Sequence, residues 1–594
     1  MEAWSLTPEA MEFGWSPHDK FIECLMMDGH AKDRHSCRSA GLQTYLQIVW
    51  LPILLLLIAW PASAAKVSRS AYWVFLKDRP QVMTTPTYVH PHALERRRIR
   101  GTLGESGEFD LPVSDAYRKT ILAVPGVALR GESRWLNALS VDADSSALEA
   151  ISRFPFVRRI QPVARLKSAH TRDRIGAVEY YSHRSVNERL QELNPTQPDP
   201  AAPLYRMDRA WYGPSLNQVR MVNALEAHFR GNHGAGVRVA VLDGGYRLNH
   251  EAFQGLDVIA QYDFINDDAD PDYDPSQDVP GQAAHGTACM SVIGGYSPGN
   301  LIGLAHEASF ILCKSEDVSD ETIVEEDNWV RAVEWSESLG ADVLSSSLSY
   351  KDWYTLADFD GMTPITSRAA QIAYELGMVL CTSAGNEGPD PMSLGAPTDA
   401  EGVLSIGALR PNGDLANFSS RGPTADGRIK PDICAQGVRT ACVRPGTWDE
   451  YSFWSGTSLS CPVVAGCMAL LVAEHPDWTP AQFYEAARET ASHAERPDND
   501  WGWGLVNLEE AIHYPSVSGW ILDQSGRGMP GIKLRLYGEE QAMTVFSNED
   551  GFYRFPNLEW GTVRIQALWP DGTLSPFTTL AVPPSDEVDF MEGN

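Results

Sequence analysis

The sequence predicts an α/β protein built on a doubly wound, mostly parallel sheet, with a small α+β unit before it and a compact β-sandwich after it. Three observations carry that prediction. Apolar strand-like runs alternate with helical stretches across residues 205–513. A shorter strand and helix alternation fills residues 66–166, and short strands punctuated by Gly, Pro and Asn fill residues 514–594. At 594 residues the chain is also too long for a single core.

Taken in order, residues 1–65 read as a leader and signal segment. "IVWLPILLLLIAWPASAA" (48–65) has an apolar run of 13 residues, Ile48 to Trp60, then small residues in an Ala62-x-Ala64 pattern. That length and that exit suit a cleaved signal peptide, with a retained membrane anchor as the alternative. Arg34 and Arg38 supply the positive flank, and Met26 or Met27 would make a more ordinary start. "AYWVFLKD" (71–78) then reads as a strand, "HALERRRIRG" and "SDAYRKTILAVPG" as helices, and "RWLNALSVDA" as a strand. "SSALEAISRFP" reads as a helix with a serine cap and "VRRIQPVA" as a closing strand. Residues 167–204 turn polar, end in "NPTQPDPAAP" and read as a linker. Within 205–513 the strands expected are "GVRVAVLDGG", "ADVLSSSLS", "GMVLCTSAGNEG" and "VLSIGAL".

The formal net charge of −30 argues against nucleic acid as a partner. It is unevenly spread: residues 66–204 sum to +6 and residues 205–594 to −33, so the two units should attract each other. Seven cysteines remain beyond Cys24 and Cys37 of the leader. An odd number in apolar stretches is no disulfide framework, the absence of a CxxC pair leaves a zinc site unsupported, and buried thiols are expected.

In an α/β sheet, ligands meet residues at the carboxyl ends of strands. "VRVAVLDGGY" delivers Asp243 at such an end, and "VLCTSAGNEGP" delivers Asn386. "QAAHGTACMSVIGG" places His285 at the start of an apolar helical run, and "SGTSLSCPVVAG" places Ser458 at the start of another. Singly, each has an ordinary role as a turn former, a core histidine or a helix cap. Together they supply an orienter, a base, an oxyanion donor and a nucleophile. An aspartate-rich stretch, "DFINDDADPDYDP" (263–275), offers Asp268, Asp270 and Asp272 as oxygen ligands for Ca²⁺, and a solvated acidic loop accounts for it equally well.

The stretches "HGT", "AGNEG" and "SGTS", in the order Asp243, His285, Asn386, Ser458, resemble the subtilisin-like serine proteases, or subtilases, which share the order Asp, His, Ser. "FSSRGP" (418–423), "KPDICAQG" (430–437) and "WGWGLVN" (501–507) extend the resemblance over residues 217–512. It implies a subtilisin-like fold and a secreted or cell-surface serine endopeptidase, of bacterial type, acting on proteins or peptides. Residues 66–166 then resemble an inhibitory propeptide that the enzyme removes from itself, and residues 514–594 a carboxypeptidase-regulatory-like sandwich. By the same resemblance, Asp243, His285 and Ser458 are catalytic and Asn386 is the oxyanion donor. Ser347, Leu348 and Ser349 would line one wall of the substrate cleft, with Ser383, Ala384 and Gly385 facing them. Ser349 stands where the family commonly has glycine. No cofactor is implied for the chemistry, and many subtilases bind structural calcium. Another serine hydrolase, such as an esterase, is the alternative enzyme, although no G-x-S-x-G elbow surrounds Ser458. A non-catalytic binding protein on the same scaffold is the alternative outside catalysis.

Overall fold

The computed structural model describes residues 69–79, 89–102, 107–163, 179–182, 184–185, 188, 208–319, 324–539, 541–559, 561–582 and 586–591. The expected leader, its alternative starts and "NPTQPDPAAP" lie outside the described residues.

The first unit begins with β1 (Ser70–Leu76), α1 (Pro91–Ile99) and α2 (Asp115–Leu122). It continues with β2 (Ala128–Ser133), β3 (Ala138–Ala143), α3 (Ser145–Ser152) and β4 (Val157–Pro162). The strands form an antiparallel sheet in the order β2-β3-β1-β4. Two details differ from the sequence reading. "RWLNALSVDA" is a strand only from Ala138, because Arg134–Asn137 form the turn of a hairpin with the unforeseen β2. Asn137 takes φ 47° there, a left-handed conformation that asparagine tolerates. The cap of α3 is Asp144, not a serine: its carboxylate accepts the N–H groups of Ser146 and Ala147, each at 2.9 Å.

Because side chains alternate across a strand, β1 has two apolar faces. Val74 and Leu76 pack with Ile121, Ala147 and Ile151 in the unit's own core. Trp73 and Phe75 point the other way and share a core with Trp329 and Val333.

The expected linker is not featureless. Its β5 (Glu179–Ser182) pairs antiparallel with a later strand in the register Tyr180↔Ser452 and Tyr181↔Tyr451. Composition concealed this strand because two tyrosines amid polar residues suffice when a paired edge awaits them.

The large unit is organised by β6 (Arg238–Asp243), β7 (Asp257–Asp263), α4 (Ala284–Gly294) and β8 (Ser309–Lys314). α5 (Val324–Ser338), β9 (Val343–Ser346), α6 (Ile365–Glu375), β10 (Val379–Ser383), β11 (Leu404–Leu409) and β12 (Ile433–Gln436) follow. The hairpin β13 (Thr440–Val443) and β14 (Glu450–Trp454), which receives β5, leads into α7 (Thr457–Glu474). Seven strands form one parallel sheet in the order β12-β11-β10-β9-β6-β8-β7. Both faces are covered, so β6 is apolar from Val239 to Leu242. Val239 and Val241 face the core that holds α7, whereas Ala240 and Leu242 face the one that holds α5 and α6. The expected buried thiols are found: Cys289, Cys313, Cys381, Cys434, Cys442, Cys461 and Cys467 are all buried and free. Residues 517–591 form two small sheets around a core of Val517, Leu534, Phe555 and Ile565.

Candidate active site

Asp243 is the last residue of β6 and is wholly buried. His285 lies in the first turn of α4, and its Nδ1 is 2.9 and 3.0 Å from the two Asp243 carboxylate oxygens. The glycine after the histidine permits this approach. A Cβ at Gly286 would stand 2.4 Å from the Gly245 carbonyl oxygen and 2.9 Å from Asp243 Cβ, so only glycine lets α4 come this close. Burial by itself would depress the imidazolium. The Asp243 carboxylate outweighs it and holds His285 well above the ordinary histidine value.

Ser458 is in the first turn of α7, at 2% exposure. The proline four residues later has a local consequence. A helix carbonyl ordinarily accepts the N–H four residues on, and Pro462 has none to give. The Ser458 carbonyl is met instead from outside the helix, by the Ser347 hydroxyl at 2.9 Å and the Cys289 thiol at 3.3 Å. Cys289 Sγ is also 3.9 Å from His285 Nε2, so one side chain touches both the histidine ring and the serine's backbone. Burial raises the Cys289 pKa, which keeps it a neutral thiol rather than a rival nucleophile.

Asn386 follows β10 through Gly385, whose φ of 106° is one that glycine adopts readily. The Thr457 N–H and hydroxyl donate to Asn386 Oδ1 at 2.9 and 3.1 Å. With its oxygen engaged there, the amide presents Nδ2 on its other side, where it can act as a donor. The Thr457 hydroxyl also accepts the Gly385 N–H at 3.2 Å, which ties the two segments together.

The residues expected to line the cleft lie just beyond β9 and at the end of β10. Ser347 and Leu348 are buried and Ser349 is exposed. Ser383, Ala384 and Gly385, at the end of the neighbouring strand, are buried. The Ser347 hydroxyl is committed to the Ser458 carbonyl, so Ser347 offers a ligand only its backbone. The Ser349 hydroxyl sits against Gly395, where a Cβ would be 2.2 Å away.

In the aspartate-rich loop the carboxylates accept nearby backbone N–H groups. Asp268 accepts the Asp270 N–H at 2.9 Å, Asp270 accepts the Asp272 N–H at 3.1 Å, and Asp272 accepts the Tyr273 N–H at 2.6 Å. Each carboxylate caps its own backbone. Among the described residues, these three do not form a cluster whose ligand atoms all lie within 4.8 Å of one another.

Sequence reasoning missed Cys289, Ser347 and Thr457 as supports of the site. Cys289 was within reach, because a residue four after the histidine shares its helix face. Ser347 was named only as a cleft wall.

Residues 234–504 match the model of the subtilase family, and residues 71–175 match a peptidase S8 propeptide domain of Bacteroidota. Residues 234–504 are a subtilase-family domain. It is 32% identical over 307 residues to the serine protease AprX of Bacillus subtilis, covering 47% of this chain and 66% of AprX. It is 29% identical over 299 residues to subtilisin E of the same organism, covering 49% of this chain and 70% of that one. The fold is similar to that of fervidolysin from Fervidobacterium pennivorans, a keratinolytic enzyme related to subtilisin, with a TM-score of 0.51. That match has 18% identity and covers 89% of this chain and 79% of fervidolysin. The catalytic domain of this protein is thus that of a serine endopeptidase made together with a propeptide, and it needs no cofactor for its chemistry.

Proposed function

We propose that this protein is an exported endopeptidase that frees itself from its propeptide, with Ser458 as nucleophile, His285 as general base and Asp243 as orienter. The observation that carries the reading is the pair of short contacts between Asp243 and His285 Nδ1, at 2.9 and 3.0 Å. They fix the tautomer whose Nε2 accepts a proton. Ser458 Oγ adds to the peptide carbonyl while His285 takes its proton, and His285 then returns that proton to the leaving amine. Asn386 Nδ2 and the Ser458 N–H stabilise the oxyanion. The backbone beyond β9 pairs with an extended substrate as an added strand, facing the segment 383–385. Residues 48–65 direct export as a cleaved signal.

We place the boundaries of the units at 66–166, 205–513 and 514–594, and the self-cleavage between residues 163 and 179. β4 ends at Pro162 within the propeptide sheet, and β5 from Glu179 is bonded to β14 of the catalytic unit. A cut between the two leaves each strand in its own sheet.

The test is processing in cells without an added protease. Ser458→Ala accumulates as full-length precursor, whereas the unaltered chain yields a new N-terminus between residues 163 and 179, read by mass spectrometry. Asn386→Ala processes about 10²–10³-fold more slowly, because one oxyanion donor is lost and the nucleophile remains. Normal maturation of Ser458→Ala would overturn the assignment.

A further inference from the structure

A cavity of about 400 Å³ is lined by Trp211, Tyr212, Phe229 and Tyr296, together with His228, His233 and His306. His233 precedes β6 by a few residues and His306 precedes β8, so both belong to loops that enter the sheet at its amino edge. Asp243 stands at the opposite end of the same strand, β6. The two strands are neighbours, with Ser309 paired to Arg238, so their entry loops are held side by side. A backbone bond from the Glu307 N–H to the His233 carbonyl, at 3.0 Å, joins them directly.

We propose that His233, His306 and Glu307 form a binding site for a divalent transition metal of the zinc class, clipping the loop before β6 to the loop before β8. One ligand atom from each of the three residues lies within 4.8 Å of the other two. His233 Nδ1 and Glu307 Oε1 are 3.2 Å apart, near the roughly 3.4 Å edge of a tetrahedron with zinc–ligand bonds of about 2.0–2.1 Å. The His233 and His306 rings lie 4.6 Å apart between centroids. His306 Nδ1 donates to the Gly303 carbonyl at 3.1 Å. That bond leaves the Nε2 lone pair for a metal and fixes the ring, the usual outer support of a ligating histidine.

His228 is not a ligand. Its Nε2 donates to the Leu304 carbonyl at 2.7 Å, and its Nδ1 accepts the Tyr212 hydroxyl at 2.9 Å. Two imidazoles and one carboxylate suit zinc, copper or nickel and not calcium or magnesium, which prefer all-oxygen sets. Three protein ligands leave a fourth position for water or a small donor on the side of the aromatic cavity.

The test uses the untagged full chain carrying Ser458→Ala, stripped with chelator and titrated with Zn²⁺ by calorimetry, with thermal unfolding followed in parallel. The expected result is one equivalent bound and a higher unfolding temperature, because a ligand of the native state stabilises it by mass action. Ca²⁺ in excess does not displace the bound Zn²⁺. His233→Gln and His306→Gln each weaken binding at least about tenfold, while their metal-free unfolding temperatures stay near that of the parent. The Asp243, His285 and Cys289 ligand atoms also cluster within 4.8 Å, so Cys289→Ser serves as the control and leaves Zn²⁺ binding unchanged. If His306→Gln fails to fold, His233→Gln and Glu307→Gln, at more exposed positions, carry the comparison. Absence of Zn²⁺ binding, binding unchanged in the histidine variants, or binding lost in Cys289→Ser instead would each overturn the site.

Discussion

The two units that flank the catalytic domain are attached in different ways. The propeptide shares a core with it: Trp73, Phe75, Trp135 and Leu136 pack in one cluster with Trp329, Val330 and Val333 of α5. Around that cluster, propeptide arginines meet buried carboxylates. Arg96 and Arg97 both bond Glu337, and Arg97 also pairs with Asp110 of its own unit at 2.7 Å. Arg130 reaches Asp327 at 3.0 Å, and Arg100 reaches Asp342 at 3.4 Å. The C-terminal sandwich, by contrast, keeps its core to itself. Its described links to the catalytic domain include an Arg554–Glu510 ion pair and a backbone bond from the Asn557 N–H to the His513 carbonyl. The first seam therefore depends on complementarity between two surfaces, and the second resembles a tether between finished modules. The opposite charges of the two N-terminal units are realised as specific buried pairs, which fix register as well as attraction.

The sharpest way to break this contrast is Glu337→Ala. It leaves Arg96 and Arg97 buried without their shared partner, and the loss of one side of a buried pair costs about 3–5 kcal/mol. Propeptide affinity, measured as inhibition of the processed enzyme, should fall at least about a hundredfold. Trp73→Ala comes next. Deleting a buried indole costs about 3 kcal/mol or slightly more, and the same inhibition assay reads it.

A third experiment varies pH. Burial pushes Glu334 up to about 7, against the Arg134 guanidinium and the Ser133 hydroxyl that favour its charge. Docking thus takes up a proton between the ordinary glutamate value and about 7. This contribution is present in full at the acid end and is lost as pH rises through about 7, so the propeptide should be released faster at pH 8 than at pH 6. Glu334→Gln keeps the contact to Ser133 without the charge and should flatten that dependence in a stopped-flow release assay. The smallest effect belongs to the other seam. Arg554→Ala removes a partly exposed pair worth less than about 1 kcal/mol and should leave the unfolding temperature of the full chain almost unchanged by calorimetry.

Much of the site was legible because its signals are local. A glycine after a histidine, a glycine before an asparagine and a Gly-Thr before a serine mark places where backbone must turn sharply or approach closely. Gly286 and Gly385 meet those demands in the structure. The strands at Arg238–Asp243, Val343–Ser346, Val379–Ser383 and Leu404–Leu409 were legible for a related reason: a parallel sheet covered on both faces needs short runs rich in apolar and small residues that can be buried on both sides. β2 and β5 were not legible, since polar edge strands depend on a partner far away in the chain.

The sequence by itself determined the doubly wound sheet, the opposite charges of residues 66–204 and 205–594, and the choice of Asp243, His285, Asn386 and Ser458 as the residues to propose for the site. Tertiary structure decided which long-range partners complete them. Pro462 announces that the Ser458 carbonyl lacks its helical donor, but only the fold brings Ser347, 111 positions away, to supply one. Asp327, Glu334 and Glu337 of α5 are buried because propeptide side chains, Arg130, Arg134 and Arg97 among them, are set against them. The difference is one of range. Backbone conformation and hydrophobic period are written in neighbouring residues, whereas the desolvation and pairing of a charge depend on whatever the folded chain sets against it.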